Sequence, residues 1–346
     1  MRKFLCLLLP VMLLSCCGQK DRYIQITGFA QGGQYRVKIN TKGASIPDQA
    51  IKDSIEAILQ RIDTTLSGYN KSSQLSRFNS GEPIHPDRLF TDIYVSGYRF
   101  WKRSGGALDF AAGPLFDAWG FGFKNEEFPS KRQIDSLLGI CGMKRLPETL
   151  PVSGGVLDPA AMGGPRLNYN AIAQGYSCDM IAAFLYRTGI KDMLVDIGEI
   201  WCDGLNPSGK PWAVGIDRPE DRSPSDDSLK AIESVWVSEG KPCGIVTSGN
   251  YRKFYLKNGR KYAHTVDPVS GYPVDHNLLS ATVVSFRSAA EADAVATWCM
   301  VAGLDGAKKI IEEDSFLEGF LIYENEKGEM AHWASDGFSL RAVSNL

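Results

Sequence analysis

Residues 171–198, "AIAQGYSCDMIAAFLYRTGIKDMLVDIG", read as a helix ended by Gly189 and followed by a strand, "DMLVDIG". What comes next decides the fold class. "PWAVGID" at 211–217, "VWVSEG" at 235–240, "CGIVTSG" at 243–249 and "LSATVVSF" at 279–286 are further short runs rich in β-formers, bounded by glycine, proline or polar residues. A doubly wound parallel sheet needs a helix between successive strands. Here strands and helices mix without a regular βαβ beat, so the expected class is α+β.

The flanking regions carry both periods. In "PDQAIKDSIEAILQRIDTTL", residues 47–66, Ile51, Ile55, Ile58, Leu59 and Ile62 recur at spacings of three and four, the mark of one apolar helical face. "YRVKIN" at 35–40 reads as a strand, and further helices are predicted over 90–105, 289–302 and 304–313. "DRPEDRSPSDDSLKAIE" at 217–233 reads as a charged, serine-rich surface loop. No internal repeat or long linker offers a cut point.

The amino terminus gives an address. Arg2 and Lys3 precede an apolar run, Phe4 to Leu14, too short for a permanent spanning helix. It ends at Leu13-Leu14-Ser15-Cys16, which resembles a bacterial lipobox with Cys16 as the lipidated residue; an ordinary secretory peptide is the alternative. The expectation is a signal peptide over 1–15, a lipidated polar tether over 16–27 and a folded domain over 28–346. Such a protein is extracytoplasmic, on the periplasmic side, and anchored to the membrane rather than spanning it.

At 44% hydrophobic and 23% charged, the 346-residue chain has the composition of a globular protein. Its net charge of −2 gives no basic footprint for nucleic acid. Cys17, Cys141, Cys178, Cys202, Cys243 and Cys299 remain beyond Cys16. None has CxxC or zinc-finger spacing, so they read as small buried hydrophobes. The compartment permits one disulfide among them, whose partners the sequence does not assign.

Several chemistries are absent as motifs: there is no phosphate-binding P-loop, no dinucleotide GxGxxG, no GxSxG elbow and no HExxH. Asp293 and Thr297 sit four apart in an alanine-rich helix and share a face. Two hard oxygens suit Mg²⁺, while capping and solvation also use such pairs; spacing leaves both readings open. "TSGN" at 247–250 ends a strand in hydroxyls, an amide and accessible backbone N–H groups, a phosphate or heterocycle site or simply a turn. Phe110, Phe116, Trp119, Phe121 and Phe123 offer flat surfaces to an aromatic ligand or belong to the core. His264, in "YAHTVDPVSGYP", is one of four histidines.

Taken in order, "SQLSRFN" at 73–79, "LDFAAGPLFDAWGFG" at 108–122, "NAIAQGYSCD" at 170–179, "TSGNYRKF" at 247–254, "HTVDPVSGYP" at 264–273 and "ADAVAT" at 292–297 resemble the ApbE family of flavin transferases. The resemblance runs from about Gly28 to about Glu313. It implies an ApbE-like fold of mixed or antiparallel sheets with packed helices, a single large domain or one with two subdomains. It also implies a reaction: Mg²⁺-dependent splitting of FAD, transfer of FMN to a threonine hydroxyl of an exported protein, and release of AMP. The acceptor would be a threonine-containing subunit of a membrane electron-transport complex or another exported flavoprotein. Similar members hydrolyse FAD to FMN and AMP instead, and a non-catalytic FAD-binding lipoprotein is a third reading.

By the same resemblance, Asp293 and Thr297 match the metal ligands, joined by a backbone carbonyl at Asn170-Ala171, with Ala171 favoured. His264 matches the histidine near the transferred phosphate, a general base. Gln31, Tyr69, Asp109, Gln174, Asp179, Ser248 and Gly249 match positions that hold FAD. Arg77 and Asn79 are expected to fix the loop beneath the flavin. The chain departs from the usual pattern at Gln174, where a lysine is common, and at Asn170, where a glycine is. The first change removes a positive charge from the cofactor side.

Overall fold

Alternation in "YIQITGFA" and "GQYRVKIN" places Ile26, Tyr35, Val37 and Ile39 in the core. The two runs pair as an antiparallel hairpin, β1 (Tyr23–Ala30) and β2 (Gly33–Asn40). Its two-residue turn, Gln31-Gly32, has φ of 52° and 84°, the positive pair that matches the twist of the flanking strands. Residues 23–27, expected to close the tether, are therefore the first five of the eight residues of β1. The computed structural model describes residues 21–120, 128–219, 232–250, 254–257, 260–263 and 265–341; Cys16 and His264 lie outside them.

After the hairpin come α1 (Asp48–Leu66), α2 (Gln74–Asn79), α3 (Arg88–Arg103), α4 (Gly113–Ala118), α5 (Lys131–Ile140) and α6 (Ala173–Arg187). Then follow β3 (Met193–Asp196), β4 (Ile200–Asp203), β5 (Ala213–Asp217), β6 (Ile232–Val237), β7 (Cys243–Gly249), β8 (Phe254–Lys257), β9 (Arg260–Ala263) and β10 (Leu278–Ser285). After them come α7 (Ala289–Glu312), β11 (Leu317–Glu324), β12 (Met330–Ala334) and β13 (Leu340–Arg341). Among the described residues, no helix is long and apolar enough to cross a membrane.

Eight strands form one sheet in the order β1-β2-β3-β4-β7-β10-β11-β12, every neighbour antiparallel. Among the described residues, a second sheet, β13-β6-β5, and the hairpin β8-β9 accompany it. This is the expected α+β class. Ile51, Ile55, Leu59 and Ile62 of α1 are buried as the periodicity predicts. The two helices expected over 289–302 and 304–313 are both present, meeting within α7 at the non-helical geometry of Gly303. Of the 217–233 insertion, residues 220–231 lie outside the described residues, while Ile232 and Glu233 open β6.

Because α7 follows β10 through a short turn, it runs back along the sheet, antiparallel to β10 and so parallel to β7. Val246 of β7, Ala281 and Val283 of β10, and Ala292, Val295, Ala296 and Cys299 of α7 share one buried cluster. The small side chains let helix and sheet approach closely. Two glycines carry this furthest. A Cβ on Gly244 of β7 would lie 2.4 Å from Ala289 Cα, and one on Gly175 of α6 would lie 2.3 Å from the Ala289 carbonyl oxygen. Ala289 is thus held between two bare backbones, and α6, α7 and β7 are locked at one point.

Adding a methyl at this point forces backbone to move. Gly175→Ala is expected to lower the thermal midpoint by about 5 °C or more. At Gly33 an added Cβ meets nothing within 4 Å, so Gly33→Ala should change the midpoint by about 1 °C or less. Calorimetry of the two variants against the parent checks the contrast.

Candidate functional site

The junction of α6 and α7 creates an unusual backbone arrangement at the start of α6. Ala173 N–H bonds the Tyr169 carbonyl at 2.9 Å and Tyr176 N–H bonds that of Ile172 at 2.9 Å. Gly175 N–H, whose helical partner would be the Ala171 carbonyl, donates instead to Asp293 Oδ2 at 3.1 Å. No backbone N–H among the described residues takes the Ala171 carbonyl. Asp293 is only 4% exposed. Burial pushes its carboxyl above the usual range, the Gly175 N–H opposes that, and the nearby Asp179 charge adds to it. Thr297 lies one turn further along the same face of α7, half-buried.

The Ala171 carbonyl just before α6, the buried Asp293 carboxylate on Gly175 N–H and the Thr297 hydroxyl one turn on along α7 therefore belong to the same junction of α6 and α7. Among the described residues there is no group of three His, Cys, Asp or Glu side chains that could hold a metal. The donors present are hard oxygens, and few. That set fits Mg²⁺, which takes one or two carboxylates and completes its shell with water or substrate phosphate. A cation there would also offset the charge of a carboxylate removed from water.

The other expected positions fall into two groups. Gln31, at the β1–β2 turn, donates its Nε2 to Ser177 Oγ at 2.5 Å. Gln174 donates its Nε2 to the Ile197 carbonyl at 3.0 Å, packed over Gly198, where a Cβ would come within 2.7 Å of that nitrogen. The hairpin tip and the β3–β4 turn are thereby tied to α6. Asp179 holds the start of α7, its carboxylate accepting Ala289 N–H at 2.7 Å and Ala290 N–H at 2.9 Å. Burial raises its pKa to about 7, against those two N–H groups.

Ser248 and Gly249 end β7 opposite Ala281 and Ser280, the end toward which α7 carries Asp293 and Thr297. Just beyond, Asn250 is buried and its Oδ1 accepts the Thr265 hydroxyl at 2.7 Å. The residue following His264 is thus pinned to the "TSGN" end of β7. Asp267 knots the same loop, accepting Val269 N–H at 2.9 Å and Ser270 N–H at 3.1 Å. Trp119 Nε1 anchors the loop by donating to the Gly271 carbonyl at 2.8 Å.

Asp109 is turned to its own backbone neighbourhood, accepting Ala111 N–H at 2.9 Å and Met143 N–H at 2.9 Å. It borders a cavity of about 230 Å³ together with Lys144, Cys141, Pro268 and Val269. Burial raises its carboxyl above the usual range. Tyr69 stands 76% exposed in the turn after α1. Asn79 clamps the loop before α6, bonding both the N–H and carbonyl of Leu167 at 2.7 and 2.8 Å. Arg77 pairs with Glu82 at 2.9 Å. Of the aromatic run, Phe110 and Trp119 are core, while Phe121 and Phe123 lie outside the described residues.

The family model for the ApbE family matches residues 31–321. The chain belongs to the ApbE family. The FAD:protein FMN transferase of Haemophilus influenzae is 30% identical over 91% of this chain and 90% of its own length. That of Escherichia coli K12 is 32% identical over 85% of this chain and 82% of its own length. The flavin transferase ApbE of Vibrio cholerae superposes with a TM-score of 0.76 at 28% identity, covering 92% of this chain and 98% of that one. An ApbE protein from Thermotoga maritima shares the fold, with a TM-score of 0.73 at 22% identity.

Gly175 and Thr265 were not singled out from sequence, although each lies in a motif that was, and Asn250 was read there as a ligand-binding or turn amide rather than as the partner of Thr265. Their roles are contacts between segments distant in the chain, which no local pattern reports. The cap made by Asp179 yields a pH prediction. Its folded value of about 7 lies above the ~3.9 of an unfolded aspartate, so between those values only the folded state keeps the proton. Stability of the metal-free protein should fall as pH rises through this window, by up to about 1.4 kcal/mol per pH unit. Asp179→Asn should make the fall shallower, leaving the share due to the buried Asp293. Urea denaturation in chelator at about pH 5, 6 and 8 measures both slopes.

Proposed function

We propose that this chain is a Mg²⁺-dependent FAD:protein FMN transferase acting outside the cytoplasm. It is tethered to the membrane through lipid on Cys16. Its acceptor is a threonine of an exported protein, such as a subunit of a membrane electron-transport complex. Family membership and relatives named FAD:protein FMN transferases over most of the chain support the class. The observation that carries the reading is the Gly175 N–H turned away from Ala171 and onto Asp293. It leaves a carbonyl beside a buried carboxylate and a hydroxyl, the donor set that a phosphate-bound Mg²⁺ needs.

A Mg²⁺ ion held by Asp293, Thr297 and the Ala171 carbonyl would supply charge neutralisation on the FAD pyrophosphate and on departing AMP. His264 takes the proton from the acceptor threonine. As it does so, the threonine oxygen bonds the FMN phosphorus, and the bond from that phosphorus to the oxygen of AMP breaks. Thr265, bound to Asn250, and Asp267, knotting the loop, hold the position next to His264. Gln31, Gln174, Ser248 and Gly249 face FAD from three converging segments. Tyr69 offers an exposed ring to the flavin. Gln174 provides a hydrogen-bonding amide where a lysine would give charge, so phosphate charge falls more heavily to the metal.

The test is incubation of the full chain in detergent with FAD, Mg²⁺ and a threonine-bearing acceptor domain, read by intact mass. The acceptor should gain the mass of FMN less water, with AMP released. Chelator or Asp293→Ala should abolish the gain, and His264→Ala should slow it by about 10²-fold or more. An unmodified acceptor with free FMN and AMP would replace transfer by hydrolysis. Unchanged FAD bound to the protein would leave a binding protein.

A further inference from the structure

Cys202 and Cys243 are far apart in sequence and meet in the sheet. They are directly opposed partners, Cys202 on β4 and Cys243 on β7, at the end of the antiparallel ladder that also pairs Trp201 with Gly244 and Ile200 with Ile245. Their sulfur atoms are 3.8 Å apart. Both side chains are fully buried, in a cluster with Trp212, Ile245, Val284 and Phe320. Directly opposed residues in an antiparallel pair have Cα atoms roughly 4.5–5.5 Å apart, inside the roughly 4.4–6.8 Å span that a disulfide bridges. Rotation of the two side chains closes the remaining gap without moving a strand. Cys141, Cys178 and Cys299 are also buried, but each lies in a different cluster or beside no second sulfur among the described residues.

We infer that Cys202 and Cys243 are a disulfide site, oxidised as the protein folds in a disulfide-forming compartment. The two thiols give up two protons and two electrons to a disulfide-bearing oxidant of the thiol–disulfide exchange class. One cysteine thiolate attacks the oxidant's disulfide to form a mixed disulfide and release one oxidant thiol. The other then attacks the mixed disulfide, forming the Cys202–Cys243 bond and releasing the second thiol. Exchange belongs to the folding stage. In the folded dithiol, hydrogen bonding to Cys202 and burial hold the proton on Cys243, and neither sulfur is reachable from solvent.

The placement gives the bond a consequence. It ties off the segment between β4 and β7, which carries β5 and β6 of the second sheet and the serine-rich insertion. It also fixes the start of β7 one residue before Gly244, where β7 meets Ala289 of α7. The strand that delivers Ser248, Gly249 and Asn250 is therefore anchored at its origin.

The experiment is independent of where the protein is exported. The full chain is reduced, unfolded and refolded in detergent with a mixture of glutathione and its disulfide, then denatured without reductant, alkylated and peptide-mapped. The expected product joins the peptides containing Cys202 and Cys243, while Cys141, Cys178 and Cys299 carry the alkyl label. Its thermal midpoint should exceed that of the same protein refolded in excess reductant by about 5 °C. Alkyl label on both Cys202 and Cys243, or a bridge from either to another cysteine, would overturn the assignment.

Discussion

The close approach at Ala289 is the constraint on which the candidate site depends. Two glycines, one on β7 and one on α6, present bare backbone to the first residue of α7. Asp179 fastens the same residue and its neighbour through both carboxylate oxygens. With the helix start fixed, the 3.6-residue repeat sets the rest: Asp293 comes round to Gly175 N–H, and Thr297 follows one turn later. Asp293 and Thr297, the proposed metal donors, stand at the end of this chain of contacts.

The arrangement has an electrostatic cost that suggests its use. Asp179 and Asp293 are both buried carboxylates, each pushed above the usual range by loss of water, and the Asp179 charge raises Asp293 further. Backbone N–H groups compensate them only in part. Two neighbouring buried acids, and a carbonyl without its helical partner, are the groups whose charge the proposed Mg²⁺ would offset. Structural needs account for Asp179, which caps α7. They do not account for the diverted Gly175 bond.

On the far side, the loop after His264 is fixed by independent means: the Thr265–Asn250 hydrogen bond, the Asp267 knot and the Trp119 anchor. Strand β7 connects the two sides, meeting α7 at Gly244 and the loop at Asn250. The eight-stranded sheet thus acts as a ruler. Its antiparallel register fixes how far the oxygen donors at the α6–α7 crossing stand from the loop that bears the histidine.

By itself, the sequence determined what is local or ordered along the chain. The apolar spacing in 47–66 identified α1, the β-rich run 243–249 identified β7 residue for residue, and the ordered motifs identified the family. Asp293 and Thr297 were legible as a helical pair because one turn brings them together. The opening strand was hidden because its first residues, in "KDRYIQ", are polar enough to pass for a tether, and only pairing with β2 satisfies its backbone. Only the tertiary structure decided that Asp179 caps α7, that Gly175 donates to Asp293, and that Cys202 faces Cys243. Each of these is a short-range force between residues separated by tens to more than a hundred positions, and its partner is chosen by sheet register and helix crossing. A one-dimensional pattern does not encode that choice at either residue alone.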